Sequence, residues 1–483
     1  MNKIAKDTYF ENFELAKRAA QQQLYVDEYE NRVQLCYYDG PEQVTDLNNL
    51  INLPMSNIVD KLLSLGTRPP VEIIHSTKDA VEANLTEYRN KKLWLTQLLK
   101  DDIKRQKIDF DEPLRVYISA DYKGRVVQNI YELINQSFKK QGIDTQFDIN
   151  NAYTLMDDFR RLQSIKAYKP HIVININRLR NDLINDATFN FIWFMDPTLC
   201  LYDQSNFLIR ERDHFLYLID NFKLALVNKG VPLSQMSKQS FATDNQHFFV
   251  MQNIEKQNKI VFIGNDYFSV CDPTYRYANN DGLRKELGEL FNSGSLDRAT
   301  LDKLAQDYVA KGIIKSLEHL EMFLFPAIVR VEILKWAAEN CDIPFEIYGA
   351  GWDEYPLLKP FHKGSLSSKS ELRKVCNESK YSLLAHPEYY YQQRLMESSA
   401  CQSIPVIYKG VNNTEQFDHS KHSLLFENPM ELRRAIHSEP IQNSQQIAED
   451  ISYDTLIQKM VRHVHSLCDS KLSISLKNEA DYV

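Results

Sequence analysis

Apolar positions along the chain change their spacing near residue 113. Before it they recur every three or four residues. Ile58, Leu62 and Leu65 follow Ser56 and stop at Gly66, ahead of Pro69-Pro70. Leu93, Leu95, Leu98, Leu99 and Ile103 form a second stripe. That spacing predicts a helical region over residues 1–110 with few strands. After it, short apolar runs alternate with amphipathic stretches. Val116, Ile118 and Ala120 alternate within LRVYISAD, and Val127, Ile130, Tyr131, Ile134 and Phe138 line one face of a helix ending at Gly142. IDTQFDI, PHIVININ (170–177) and FNFIWFMDP (189–197) then read as strands, with KLALVNKG (223–230) as the strand that closes this part. Strand, loop, helix and strand in that order predict a parallel sheet with crossover helices.

The pattern starts again near 256. NKIVFIGND (258–266) reads as a strand, residues 275–325 as polar and helical, and FPAIVRVEILKWAAENC (325–341) as a helix packing Ile328, Val331, Ile333 and Leu334 inward. PFEIYGAGW gives a strand, KGSLSSKSELRKVC (363–376) a serine-rich loop and a helix, and SKYSLLAH a buried strand cut by Pro387. Gln392 to Cys401 is free of glycine and proline and reads as a helix, followed by the strand IPVIY. HSLLFENPMELRRAI (422–436) adds a strand, a turn and a helix. The tail over 445–468 is helical, with Ile451, Leu456, Met460 and Val464 apolar. The expectation is an α/β protein with two Rossmann-like domains facing a cleft and an extra N-terminal helical region. Its expected divisions are 1–110, 111–255, 256–445 and a tail, 446–483, packing back on the N-terminal half. A length of 483 residues suits two or three domains.

Composition narrows the class. Lys and Arg number 57 against 65 Asp and Glu, and the net charge of -8 argues against a general nucleic-acid binder. No apolar run approaches the roughly 20 residues of a membrane span, and MNKIAKDTYFENFELAKRAA has no apolar signal core. The cytoplasm is therefore the expected location. The seven cysteines form no CxxC pair and the histidines no HExxH, so neither a disulfide framework nor a zinc site is expected.

Candidate chemistry gathers where strands end. Arg394 and Glu397 are three apart and share a helix face, beside the loop that carries His386. A carboxylate and a guanidinium at the carboxyl edge of a parallel sheet sit where open α/β proteins bind ligands; a surface ion pair is the plainer reading. Gly264-Asn265 ends one strand, and Gly349 and Gly351 end another, where a ligand could approach the backbone. Lys123, Gly124 and Arg125, in the loop 121–125, offer backbone N–H groups and cations to a phosphate or an acceptor. GxGxxG is absent, so no dinucleotide is indicated. Asp196 leaves a very apolar strand and either faces the crevice or caps the next turn.

The stretches FIWFMDP, KIVFIGN, FEIYGAGW, KGSLSSKSELRKVCNESKYSLLAH, QQRLMESSACQSIPVIY and LLFENPMELRRAI resemble, in order and spacing, the spore-maturation-protein-B-like glycosyltransferases of the group-1 superfamily, over roughly residues 170–440. Arg394, Glu397, Ala400 and Cys401 followed by Pro405 carry the resemblance most strongly; the family commonly has glycine where this chain has Gln402. The resemblance implies the two-domain GT-B architecture and transfer of a sugar from a nucleotide-sugar donor to a protein or glycan acceptor. It implies donor contacts at Gly264, Asn265, Gly349, Gly351, Lys363, Ser365, His386, Arg394 and Glu397, with Glu397 on the ribose hydroxyls and Arg394 on the diphosphate. No metal and no cofactor beyond the donor are expected. Arg394 would stabilise the leaving group, and Asp196 or Asp121 could supply a base. Two alternatives stay open: a GT-B nucleotide-sugar epimerase, or a non-catalytic nucleotide-sugar-binding or scaffold protein that assembles through residues 1–110.

Overall fold

The computed structural model describes residues 8–10, 12–22, 36–38, 47, 50–52, 78–120, 125–149, 157–196, 198–202, 207–270, 281–314, 317, 320, 324–387, 392–410, 420–438 and 443–480. They divide into two compact units. The first comprises residues 1–216, 226–237 and 460–483; the second comprises 217–225 and 238–459.

The first unit begins with an unexpected sheet. Strands β1 (Thr8–Phe10), β2 (Cys36–Tyr38) and β3 (Leu50–Asn52) pair in parallel. Helix α1 (Phe13–Gln22) packs on them through Ala16 and Ala20 against Cys36, Tyr38 and Leu50. Most of the described residues in 1–110 are helical, as expected, and this small sheet is the addition. Each strand is only three residues long, too short for an alternating pattern to stand out. The helix expected around Ile58–Leu65 lies outside the described residues. Helix α2 (Lys78–Arg105) forms as expected, but on a different face. Leu99 and Ile103 pack with Leu162 and Ile165, whereas Leu93 and Leu98 are exposed. The inward face is fixed by polar anchors as well, since Lys92 pairs with Asp157, and Lys100 with Asp182 at 2.6 Å.

The main sheet of this unit has six strands: β4 (Arg115–Ala120), β5 (Asp144–Ile149), β6 (Ile172–Ile176), β7 (Phe189–Phe194), β8 (Asp213–Tyr217) and β9 (Met236–Lys238). Their order is β5-β4-β6-β7-β8-β9, and β4 pairs in parallel with β5 and β6, as β6 does with β7. Helices α3 (Arg125–Lys140) and α4 (Asp158–Tyr168) make the crossovers. Ile130, Ile134 and Phe138 of α3 are buried, as their four-residue spacing requires. KLALVNKG is not a strand. It lies in helix α5 (Asp220–Asn228), where Phe222 and Leu226, four apart, are buried while Leu224 and Val227 face solvent. Gly230, at φ +85°, ends the turn in a conformation that favours glycine.

The second unit is a five-stranded sheet of β10 (Gln257–Ile263), β11 (Phe345–Tyr348), β12 (Ser379–Leu384), β13 (Ile404–Tyr408) and β14 (Leu424–Phe426). The order is β11-β10-β12-β13-β14 and every pairing is parallel. All five carboxyl ends therefore lie along one edge. Helices α6 (Asp281–Asn292), α7 (Arg298–Ala310) and α8 (Phe325–Asn340) share one apolar core with the sheet. Then come α9 (Lys369–Glu378), α10 (Gln393–Ala400), α11 (Pro429–Ile436), α12 (Gln445–Asp450) and α13 (Tyr453–Ala480), the last belonging to the first unit from residue 460 onward. Helix α8 is buried around nearly its whole circumference, Phe325 to Leu334 being covered except for Glu332. No described helix is long and apolar enough to cross a membrane.

Candidate functional site

Helix α10 is held by its apolar side. Leu395 and Met396 pack against Leu384 of β12, Ile407 of β13 and Ile447 of α12. That leaves Gln393, Arg394 and Glu397 together. Arg394 Nη1 donates to Glu397 Oε2 in an i, i+3 pair, and Gln393 Nε2 donates to Oε1 at 2.9 Å. Glu397 is only 5% exposed, so this is not a surface ion pair. Burial pushes its carboxyl above the ordinary range, and Arg394 and Gln393 pull it back. Each carboxylate oxygen accepts one intrahelical bond, and a carboxylate has about four acceptor positions, so capacity remains for incoming hydroxyls.

A second acid stands close by. Asp244 is buried and accepts from Lys369 Nζ at 3.2 Å and from the His247 ring at 2.8 Å. Its charge acts on Glu397 and on the Tyr453 phenol, whose acidity is suppressed chiefly by burial and then by these two carboxylates.

The other group lies at the ends of β10, β11 and β12. Arg330 of α8 is 9% exposed and points its guanidinium at this edge. Nη1 donates to the Asn265 carbonyl at 2.9 Å and Nη2 to the Tyr267 hydroxyl at 2.6 Å, with the guanidinium 3.7 Å from the Tyr267 ring centroid. Nε has no hydrogen-bond partner, and no carboxylate pairs with Arg330 among the described residues. A buried cation without a counter-acid is costly unless an anion completes it. His386, following β12, is lowered to about 3 by burial and then by the Arg330 charge, so it is neutral near pH 7. Arg330 escaped the sequence reading because the helix was read as packing alone. Its signal was a single charge within the apolar run FPAIVRV.

Gly264 and Gly349 meet each other. A Cβ on Gly349, at φ +134°, would lie 2.2 Å from the Gly264 carbonyl oxygen. This close approach of two chain segments accounts for the glycine. Asn265 Oδ1 accepts from the Ala350 N–H at 2.9 Å, and the Gly264 carbonyl from Trp352 Nε1 at 2.7 Å. Gly351, at φ +92°, opens the following turn. Lys363 and Ser365 are exposed in the loop before α9, Lys363 N bonding the Ile347 carbonyl at 2.9 Å. Gln402 follows α10 at φ +57°, the left-handed position where helices usually place glycine.

In the first unit, Asp196 follows β7. Its Oδ2 accepts from Asn177 Nδ2 at 2.8 Å, while Asn177 Oδ1 accepts from the N–H groups of Met195 at 2.8 Å and Asp196 at 3.1 Å. Asn177, at φ +56°, thus fixes the acid's orientation. The sequence carried this as the polar end of PHIVININ, which had not been singled out. The surrounding protein raises the Asp196 carboxyl, and Asn177 opposes the rise. Asp121, Lys123 and Gly124 lie outside the described residues. Arg125 is the first residue of α3, and its side chain is not described. No three His, Cys, Asp or Glu side chains among the described residues gather as metal ligands.

The profile of the Glycosyl transferase-like family matches residues 330–466, which begins at Arg330 and spans Arg394 and Glu397. No curated protein sequence matches the chain. Among solved structures, the chain is similar to a sucrose-phosphate synthase from Thermosynechococcus elongatus at 8% identity, covering 74% of this chain and 100% of that one, with a TM-score of 0.44. It is also similar to a lipopolysaccharide outer core galactosyltransferase, WaaB, at 10% identity, covering 72% and 99%, with a TM-score of 0.40. The Anabaena protein HepE, in complex with UDP and glucose, is similar at 9% identity, covering 73% and 100%, with a TM-score of 0.39. These likenesses are loose.

Proposed function

We propose that the chain is a GT-B glycosyltransferase that moves a sugar from a nucleotide-sugar donor to a protein or glycan acceptor, and that its second unit holds the donor. The observation that carries this reading is the coincidence of the family profile with the charged and polar groups of the site: residues 330–466 contain the buried Arg330 and Glu397 and the half-buried His386 and Arg394. Glu397 would accept from the ribose hydroxyls. Arg330 and Arg394 would face the diphosphate, where negative charge grows as the glycosidic bond to the leaving group breaks. Arginine suits that task because its fork donates two parallel bonds to phosphate oxygens. The reading assigns this work to side chains and to no resident metal or cofactor, so turnover should persist in a chelator. Asp196, gripped by Asn177, would take the acceptor's proton if transfer inverts the anomeric centre.

Isothermal titration with UDP-, GDP- and CMP-sugars, paired with a transfer and donor-hydrolysis assay, tests the proposal. One of these donors should bind and turn over, and Glu397→Ala should weaken it at least ~10-fold, the scale of one charge-assisted contact. Binding without turnover would favour a nucleotide-sugar-binding protein instead. No binding of any donor would remove the reading.

A further inference from the structure

Lys256 stands just before β10, half-buried in the second unit, with no carboxylate partner among the described residues. Its Nζ donates to three backbone carbonyls: Cys401 at 2.9 Å, Asn377 at 3.1 Å and Cys376 at 3.4 Å. Cys376 and Asn377 belong to the last turn of α9, and Cys401 caps α10. The final carbonyls of a helix lack partners within it and carry the negative end of its dipole, so one ammonium satisfies two helix ends at once. Among the described residues the other hydrogen bonds from the stretch 244–256 to these helices run to α9, while Phe248 packs against both α9 and the end of α10. Asn377 Oδ1 accepts from Met251 N at 2.8 Å, Asn377 Nδ2 donates to the Phe249 carbonyl at 3.0 Å, and Arg373 Nη1 to the His247 carbonyl at 3.1 Å. The Lys256 bond extends that tie to α10, the helix that carries Arg394 and Glu397. We infer that Lys256 is a positioning residue of the donor site: it joins the C-terminal ends of α9 and α10 and so sets where Arg394 and Glu397 stand.

The titratable groups around the amine are the buried thiols of Cys376 on α9 and Cys401 beside α10. Burial lowers the ammonium below the ordinary lysine range, and the two thiols act against that shift. A neutral amine has only two protons for three carbonyls and no charge for the helix ends. Donor affinity should therefore fall on the alkaline side, starting below the usual lysine range.

The inference rests on the donor reading, and the experiment separates the two. Donor dissociation constants are measured against pH for the wild type, Lys256→Met and Glu397→Ala, with amide hydrogen exchange of residues 396–403 followed in the same proteins without donor. Lys256→Met should weaken the donor about five- to tenfold, abolish the alkaline decline, and speed exchange at the end of α10. Lys256→Arg, which keeps a cation, should recover part of the affinity. If Glu397→Ala leaves donor binding unchanged, the donor reading itself fails. If Glu397→Ala weakens binding while Lys256→Met changes neither affinity nor exchange, Lys256 is not a positioning residue. Should Lys256→Met not fold, the wild-type profile decides: donor affinity that stays flat as pH rises towards and through the usual lysine range overturns the inference.

Discussion

The two units end their parallel strands in opposite ways. In the first, the β7 end offers one acid, Asp196, near solvent and clamped by a neighbouring asparagine. In the second, Glu397 is buried beside Arg394 on α10, and at the strand ends buried Arg330 faces a backbone carbonyl and a phenol. An exposed, oriented carboxylate can exchange a proton. A buried, fixed cation can hold an anion, because low dielectric strengthens that attraction and the fold has already met the ordering cost. In the proposed function this contrast becomes a division of labour, with proton transfer given to one unit and the hold on the donor to the other.

That division can be broken by experiment, and the largest effect is expected at Asp196. If Asp196 is the base, Asp196→Asn should lower kcat by about 10²–10⁴-fold, as removal of a general base usually does, with the donor dissociation constant unchanged in titration. A matched loss of donor affinity would erase the contrast. Arg330→Met should act in reverse. Donor affinity should fall about 10- to 100-fold, the range of a charge-assisted contact, while calorimetry shows a melting temperature unchanged or raised, since an uncompensated buried charge has gone.

The pH dependence of donor binding sharpens the same point. The Glu397 carboxyl is raised above the ordinary glutamate range, with burial the main cause. Protonation removes an acceptor of the ribose hydroxyls, so affinity should decline as pH falls through a value above the ordinary carboxylate range. Titrations across the acid range should show that decline in the wild type and a flat profile in Glu397→Gln. The smallest effect is expected at Gln402, whose left-handed backbone costs a non-glycine residue about 1 kcal/mol. Gln402→Gly should raise the melting temperature by a few degrees at most, reduced by loss of the 3.0 Å bond to Gln445.

Much of the second unit was legible because its strands are short apolar runs bounded by Gly, Pro or Asn, and its helices carry Ser or Asn caps. Ser368 and Asn428 cap α9 and α11 as their sequences suggest. KLALVNKG misled because a short apolar run fits strand and helix equally, and only burial at Phe222 and Leu226 separates them. The three-residue strands of the N-terminal sheet hold too few positions for any period to emerge. At the site, the Arg394–Glu397 pair could be read from i, i+3 spacing. Arg330 showed only as a lone charge in an apolar run, because its importance arises from what β10 and β12 bring to it across the chain. Lys256 was hidden for the same reason, its partners being carbonyls 120 or more residues away in sequence.

Gly349 has a consequence for how such a chain could diversify. Its missing side chain is taken up by the Gly264 carbonyl, so β10 and β11 finish as one interlocked piece. Any larger residue there would prise the two strand tips apart before it met a substrate. New ligand preferences would thus have to be acquired at other addresses, such as Asn265 or the exposed Lys363–Ser365 loop, with this corner handed down unchanged.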